Sequence, residues 1–420
     1  MKQHNLTKQK EKAVEASKIL EARGLVYLAF SMRAQKTPTA LFICQIMGYK
    51  SILIITKKGA INGVKYWSEY LNVPINVINY ESLHKLDKTI KYDVLILDEA
   101  HTLGTIQPRN TNVKNKLLKL KQVEQIAKGL PIIYLSGTPY PESIVQIFSQ
   151  FNISDHSPFS EKSFKAFAEN YVIVKQVLRN GYYINDYRLG KTELINQKIE
   201  PLMVTMTLKE AGAKQYKHIE SVVTVPISDN IKDIVKILLK DKIVKVNDKY
   251  IVCETAPSEK NKVLQICSGT AIADDGERLF LHVEKCKVIK EKYQNERIGV
   301  FYMFKAERDM LIKYFKDEIT ENSNDFQQGK KRIFITQITS GAEGIDLSNA
   351  DRLVYFNLTY SGKSFMQSKA RHSSLTREKP LLIDYLFSDL GFEAEVLKKI
   401  QKKENYTTEM FARFAKKMLY

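Results

Sequence analysis

A chain of 420 residues has room for two or three domains, and its 44% hydrophobic and 10% aromatic content supplies apolar material for more than one core. Sixty-five Lys and Arg against 47 Asp and Glu leave a formal charge of +18 at pH 7, which points to a polyanionic partner, nucleic acid first, with a merely solvated basic surface as the bland alternative. The four scattered cysteines (Cys44, Cys253, Cys267, Cys286) form no C-x-x-C pair and argue against a disulfide scaffold or zinc ribbon. Residues 1–20 are too charged for a signal peptide, and no apolar run reaches the roughly 18 residues a bilayer span needs, so a soluble intracellular protein with no membrane partner is expected.

Short β-branched runs alternate with helical stretches through the first third. GLVYLAF (24–30) reads as a buried strand and TPTALFICQIMGY (37–49) as the helix after it. SILIIT (51–56), INVINY (75–80), DVLILDEA (93–100) and PIIYLSGT (131–138) read as further strands. NKLLKLKQVEQIAKG (115–129) reads as an amphipathic helix that stops at a glycine. Apolar strands alternating with helices predict a parallel sheet covered on both faces. Residues 158–205 differ: FSEKSFKAFAENYV is an aromatic-rich helix and NGYYINDYRLGK a hairpin or loop, together read as a connecting segment. A second α/β lobe follows over 206–420, with strands at 298–304, 332–337, 352–358 and 380–387. It closes on a basic amphipathic helix, TTEMFARFAKKMLY. The first lobe is placed at 1–157.

Chemistry concentrates in two places. LILDEAHTLG (95–104) is an apolar strand ending in adjacent carboxylates, and ligands of open α/β sheets bind at the carboxyl ends of strands. There Asp98 is suited to hold a magnesium ion and Glu99 to polarise an attacking water. SMRAQKTPTAL (31–41) stands between a strand and a helix, the order of a phosphate loop. In that role Lys36 reaches the outer phosphates, the Thr37 hydroxyl ligates magnesium, and Arg33, Ala34 and Gln35 offer backbone N–H groups. Arg33 and Gln35, however, occupy positions where glycines are expected, because the backbone there has to visit positive φ.

In order along the chain, these segments resemble the motifs of superfamily-two helicases and translocases of the Swi/Snf-like branch, in the small form common among bacteriophage helicases. LTKQ (6–9) resembles the leading glutamine motif, which implies that Gln9 reads the adenine edge. SMRAQKT resembles the Walker A motif, LDEAH the Walker B motif, and LSGTP (135–139) the motif that couples hydrolysis to strand movement. LIITKKGAINGVKYW (53–67) and VINYESL (77–83) resemble motifs that touch one nucleic-acid strand, and VFYMFKAERDML (300–311), TQITSGAEGIDLSNADRLVYFN (336–357) and QSKARHSSLTRE (367–378) resemble the fourth to sixth motifs.

The resemblance implies an α/β protein of two RecA-like parallel-sheet lobes with a nucleotide cleft between them. It implies ATP and Mg2+ as cofactors and DNA as partner, double-stranded and held by its backbone, with RNA as the alternative polymer and the oligomeric state open. It also implies a bacterial or infected-host cytoplasm. Arg371 is the cation expected to meet the γ-phosphate. The family's second arginine falls on Ser374, with Arg377 as its substitute. Gly341 and Gly344 suit a tight backbone near ribose, and Asp346 is placed to bond a sugar hydroxyl or orient Arg371. Lys57, Lys58, Tyr80, Ser82 and Thr339 lie in the strand-facing motifs, and His101 is expected to couple the metal site to the second lobe rather than bind metal. The expected function is an ATP-dependent DNA helicase or translocase. A catalytically silent nucleic-acid-binding protein of the same fold and an RNA helicase are the alternatives.

Overall fold

In the computed structural model the described residues are 5–87, 89–106, 111–179, 182–212, 218–339, 347, 349–370, 380–402, 410 and 418. The chain divides into two compact units, Met1–Lys214 and Gln215–Tyr420. The first contains α1 (Thr7–Arg23), β1 (Leu25–Phe30), α2 (Lys36–Met47), β2 (Ile52–Thr56), α3 (Ile61–Leu71), β3 (Asn76–Asn79), β4 (Val94–Asp98), α4 (Thr111–Ala127) and β5 (Ile132–Leu135). It continues with α5 (Gln146–Phe151), α6 (Phe164–Tyr171), β6 (Val172–Arg179), β7 (Tyr182–Gly190), α7 (Thr192–Ile199) and β8 (Met203–Met206).

Six of these strands form an all-parallel sheet in the order β3-β2-β4-β5-β1-β8. β1, β2, β4 and β5 are buried almost throughout, which is why each reads as a continuous apolar run rather than an alternating one. β5 lies between β1 and β4, so the loop after β1 and the carboxylates after β4 open at the same end of the sheet. Gly24 ends α1 at φ +69, and a Cβ there would meet the His156 ring at 2.4 Å, so conformation and space both require glycine. Residues of the 158–205 segment pack into this unit's core: Phe159, Phe167, Val172, Ile195, Ile199 and Leu202 are buried with the sheet residues. β8 follows directly and adds the sixth strand, pairing Tyr27 to Phe30 with Met203 to Met206. Among the described residues β6 and β7 pair only with each other, as an antiparallel ribbon.

The second unit contains β9 (His218–Val225), α8 (Asp229–Asp241), β10 (Ile243–Val246), β11 (Lys249–Val252), α9 (Ala256–Cys267), β12 (Thr270–Ile272), β13 (Arg278–Phe280) and α10 (Glu284–Lys292). Then come β14 (Ile298–Tyr302), α11 (Lys305–Phe315), β15 (Ile319–Thr320), α12 (Ser323–Gln327), β16 (Ile333–Gln337), β17 (Arg352–Tyr355), α13 (Gly362–Ala370), β18 (Leu381–Ser388) and α14 (Phe392–Ile400). Its sheet is again parallel and six-stranded, in the order β15-β16-β14-β17-β18-β9, with apolar clusters on both faces. The expected α/β class with two parallel-sheet lobes is therefore what the chain folds into. Of the C-terminal segment, Met410 and Met418 are described, and both pack on this unit's core. All four cysteines are free and buried. Among the described residues no helix is long and apolar enough to cross a membrane.

Candidate nucleotide site and nucleic-acid face

The loop between β1 and α2 settles the conformation of the two positions that lack glycine. Arg33 has φ 64 and Gln35 φ 61, both left-handed. The chain thus adopts the backbone that glycines would allow, at a strain of roughly 1 kcal/mol or more per residue. Gln35 is the N-cap of α2 and makes no side-chain capping bond, so the first N–H groups of the helix keep their capacity for an anion. The Lys36 ammonium lies back over the loop, 3.3 Å from the Phe30 carbonyl oxygen and 3.4 Å from that of Ser31. Thr37 follows it in the first turn of α2, half-buried, and Ala34 is fully buried beneath the loop.

Two strands away, β4 ends on Asp98, which is 8% exposed. Thr56 at the end of β2 donates its hydroxyl to Oδ2 at 2.6 Å, and the Glu99 N–H donates to Oδ1 at 3.0 Å. Burial and the neighbouring Glu99 charge push the Asp98 carboxyl up to about 6, against the opposing pull of Thr56 and Lys36. Burial also acts to raise Glu99, but the hydrogen bond from His101 and the charges of Lys36, His101 and Lys57 outweigh it and hold this carboxyl low. Two adjacent carboxyls, one buried and one half-buried, cannot both ionise cheaply, and here Glu99 holds the charge while Asp98 takes the proton first. A divalent cation at Asp98 would reverse that penalty.

Glu99 sits at φ 51, a third left-handed non-glycine residue at the same edge. The buried His101 ring places Nδ1 3.3 Å from Glu99 Oε2 and 2.9 Å from Ser136 Oγ, and the Thr138 N–H donates to that same hydroxyl at 3.1 Å. His101 thus ties Glu99 to the LSGTP segment within the first unit. Gln150, missed in the sequence, reinforces that segment: it accepts from the Tyr27 hydroxyl at 2.9 Å and donates to the Pro139 carbonyl at 2.7 Å. Thr56 was missed as well. The signal for Thr56 was a polar residue closing the apolar run ILII, whereas Gln150, between Ser149 and Phe151, carries no such signal.

Gln9 is 1% exposed, and neither Oε1 nor Nε2 has a hydrogen-bond partner among the described residues. A buried amide left unpaired costs about 1–3 kcal/mol. Its donor and acceptor suit a ligand edge that offers the converse pair, as adenine does. Beside it, Leu6 just before α1 and Lys10 on α1 join Phe42 and Tyr70 in lining a cavity of about 530 Å³.

The residues assigned to a nucleic-acid strand separate on inspection. Lys57 follows β2 and its charge reaches Glu99. Lys58 is exposed in the next turn, Ser82 is half-buried, and Thr339, in the second unit, is exposed just after β16. Tyr80 requires a correction: it is 4% exposed, and its hydroxyl donates to the Asp98 carbonyl oxygen at 2.8 Å. A core ring with its hydroxyl already committed positions the Asp98 strand end and does not face a polymer. Gly341, Gly344, Asp346, Arg371, Ser374 and Arg377 lie outside the described residues.

Over 333 residues, 74% of the chain, the sequence is 23% identical to the SWI/SNF-related matrix-associated actin-dependent regulator of chromatin subfamily A-like protein 1 of Xenopus tropicalis, and equally so to that of Xenopus laevis. The Caenorhabditis elegans homologue is 28% identical over 185 residues, 37% of the chain. The chain is thus similar to Swi/Snf-related proteins over most of its length. It spans about a third of the two frog relatives, 33% and 32%, and a quarter of the nematode one. These Swi/Snf-related proteins come from two frogs and a nematode and carry no information on a phage origin. No protein-family model matches the chain. The Sulfolobus solfataricus SWI2/SNF2 ATPase core domain aligns with 98% of this chain and 94% of its own, at 16% identity and a TM-score of 0.41.

Proposed function

We propose that the protein is a nucleic-acid-stimulated ATPase, a Swi/Snf-like motor that couples Mg-ATP hydrolysis to movement along, or remodelling of, DNA. The observation that carries this reading is the convergence of Lys36, Thr37, Asp98 and Glu99 on one end of one parallel sheet, beside a loop whose backbone is already left-handed at Arg33 and Gln35. Thr37 and Asp98 would hold a magnesium ion, which when bound supplies charge neutralisation at the outer phosphates. The α2 N-terminus and Lys36 bind and orient those phosphates. Gln9 reads the base. Glu99, ionised and steadied by His101, orients the attacking water. Arg371 is proposed as the cation that stabilises charge developing at the γ-phosphate. Lys57, Lys58, Ser82 and Thr339 are proposed to contact the polymer backbone, in keeping with the +18 charge. The left-handed loop favours an active enzyme over a silent binding protein, since the missing glycines have not cost the loop its shape. The chromatin named for its relatives favours duplex DNA over RNA as the stimulating polymer.

The test is phosphate release with no polymer, single-stranded DNA, duplex DNA or RNA, for the parent and for Lys36→Ala. Turnover stimulated most by duplex DNA and lowered on the order of 100-fold or more in the variant is the expected result. Background release in both proteins under all four conditions would leave the silent binding protein as the answer, and stimulation by RNA alone would make it an RNA motor.

A further inference from the structure

The β6–β7 ribbon is unexplained by the nucleotide site. A two-stranded sheet is marginal by itself, and this one has no third strand among the described residues. Its root is firmly held. Val172 and Gly190 are buried, Tyr187 packs edge-on against Phe164 with centroids 5.5 Å apart, and the Lys191 N–H donates to the Tyr171 carbonyl at 2.8 Å. The Ser143 hydroxyl donates to the Arg188 carbonyl at 2.5 Å, and a Cβ on Gly190 would come within 2.6 Å of Ile144. Ser143 and Ile144 belong to the segment that continues from LSGTP, so the ribbon is rooted on chain leaving the phosphate end of the sheet.

Beyond that root the ribbon opens to solvent. Tyr182 and Tyr183, at the start of β7, are 77% and 73% exposed, more than any other large hydrophobic residue described. Successive strand residues point to opposite faces, so the two rings stand one on each face, about 25 Å from the root at 3.3–3.4 Å per residue. Folding has no use for two bare aromatic rings at a ribbon's far end. Over 172–191 the sequence carries Lys175, Arg179, Arg188 and Lys191 against Asp186 alone, and Arg188 pairs with that aspartate at 2.6 Å. Basic stems bearing bare aromatic rings match a polyanion whose bases offer free π-faces. A second copy of a chain at +18 would find like charge here.

We infer that the β6–β7 ribbon is a nucleic-acid prong on which Tyr182 and Tyr183 stack against unpaired bases of single-stranded or forked DNA. The inference rests on the DNA-motor reading for its choice of polymer. The test needs no hydrolysis: anisotropy titration of the full chain, without nucleotide, against a single-stranded oligonucleotide, a forked duplex and a blunt duplex. Y182A/Y183A is expected to weaken binding to the first two about tenfold or more while leaving the blunt duplex within about twofold, and Y182F/Y183F, which keeps the rings, is expected to stay near the parent on all three. Parental affinity in the alanine pair, an equal loss on blunt duplex, failure of the phenylalanine pair to retain binding, or a sedimentation change in the DNA-free alanine pair (a self-contact) would each overturn the assignment. Parental fork binding by the alanine pair in a protein that hydrolyses ATP normally refutes the prong alone, whereas ring-dependent fork binding in a protein without turnover refutes the motor alone.

Discussion

Asp98 and Asp384 are both buried aspartates on central strands of parallel sheets, and they stand in opposite electrostatic states. Asp384, in β18, is 1% exposed and accepts from the Ser221 hydroxyl and the Tyr293 hydroxyl at 2.6 Å each, with Arg352 at 3.1 Å and Lys292 at 3.6 Å. Burial acts to raise it, but these partners together hold it below its usual range. Asp98 has a hydroxyl, one backbone N–H and the opposing pull of Lys36, but a second carboxylate beside it, and is pushed up to about 6. A structural carboxylate brings its cations with it. Under the proposed magnesium role Asp98 is left short of positive charge for the cation to supply, and the Gln9 amide, without a partner among the described residues, fits the same reading.

Exchanging charge for its neutral isostere at the two positions should pull the comparison apart. Asp98→Asn is expected to lower Mg-dependent turnover on the order of 100-fold or more while leaving folding stability unchanged or slightly raised, because it removes a penalised charge. Asp384→Asn is expected to cost about 3 kcal/mol in denaturant unfolding, because Arg352 and Lys292 lose a buried partner. Equal unfolding midpoints for the two variants would erase the distinction.

The pH dependence of stability should differ in sign. Asp98, raised from 3.8 to about 6, binds its proton more tightly folded than unfolded, so its contribution is present below about pH 4 and is lost as pH rises through 6. Asp384, lowered, contributes above its ordinary 3.8 and loses that contribution as pH falls further. Unfolding between pH 3 and 7 is therefore expected to show a downward stability slope near pH 5–6 that Asp98→Asn flattens and Asp384→Asn does not. An unchanged slope in Asp98→Asn would assign the titration elsewhere. The smallest effect expected is a gain of about 1 kcal/mol for Gln35→Gly, from relief of a left-handed side-chain position, with turnover close to the parent. A large rise in turnover would instead mean that Gln35 restrains the phosphates.

Strand positions were legible to within a few residues because a doubly covered parallel strand must be apolar throughout, and LVYLAF, ILIIT, VLILD and IIYL are. β9 was not, because an edge strand exposed over most of its length, HIESVVTV, carries no such run. Residues 158–205 read as a connector for a related reason: an aromatic helix and a ribbon have no parallel-sheet signature, yet their buried rings complete the first unit's core.

Residue type and spacing alone determined the chemistry on offer: a lysine and threonine opening a helix, paired carboxylates closing an apolar strand, and an excess of positive charge. Tertiary structure decided which groups meet and in what state. It made Arg33 and Gln35 left-handed without glycine, drew Tyr80 into the core beneath Asp98, set His101 between Glu99 and Ser136, and left Tyr182 and Tyr183 in solvent. Backbone dihedrals at a turn, the burial of a ring and the charge of a carboxyl depend on neighbours remote in sequence, so residue identity cannot fix them.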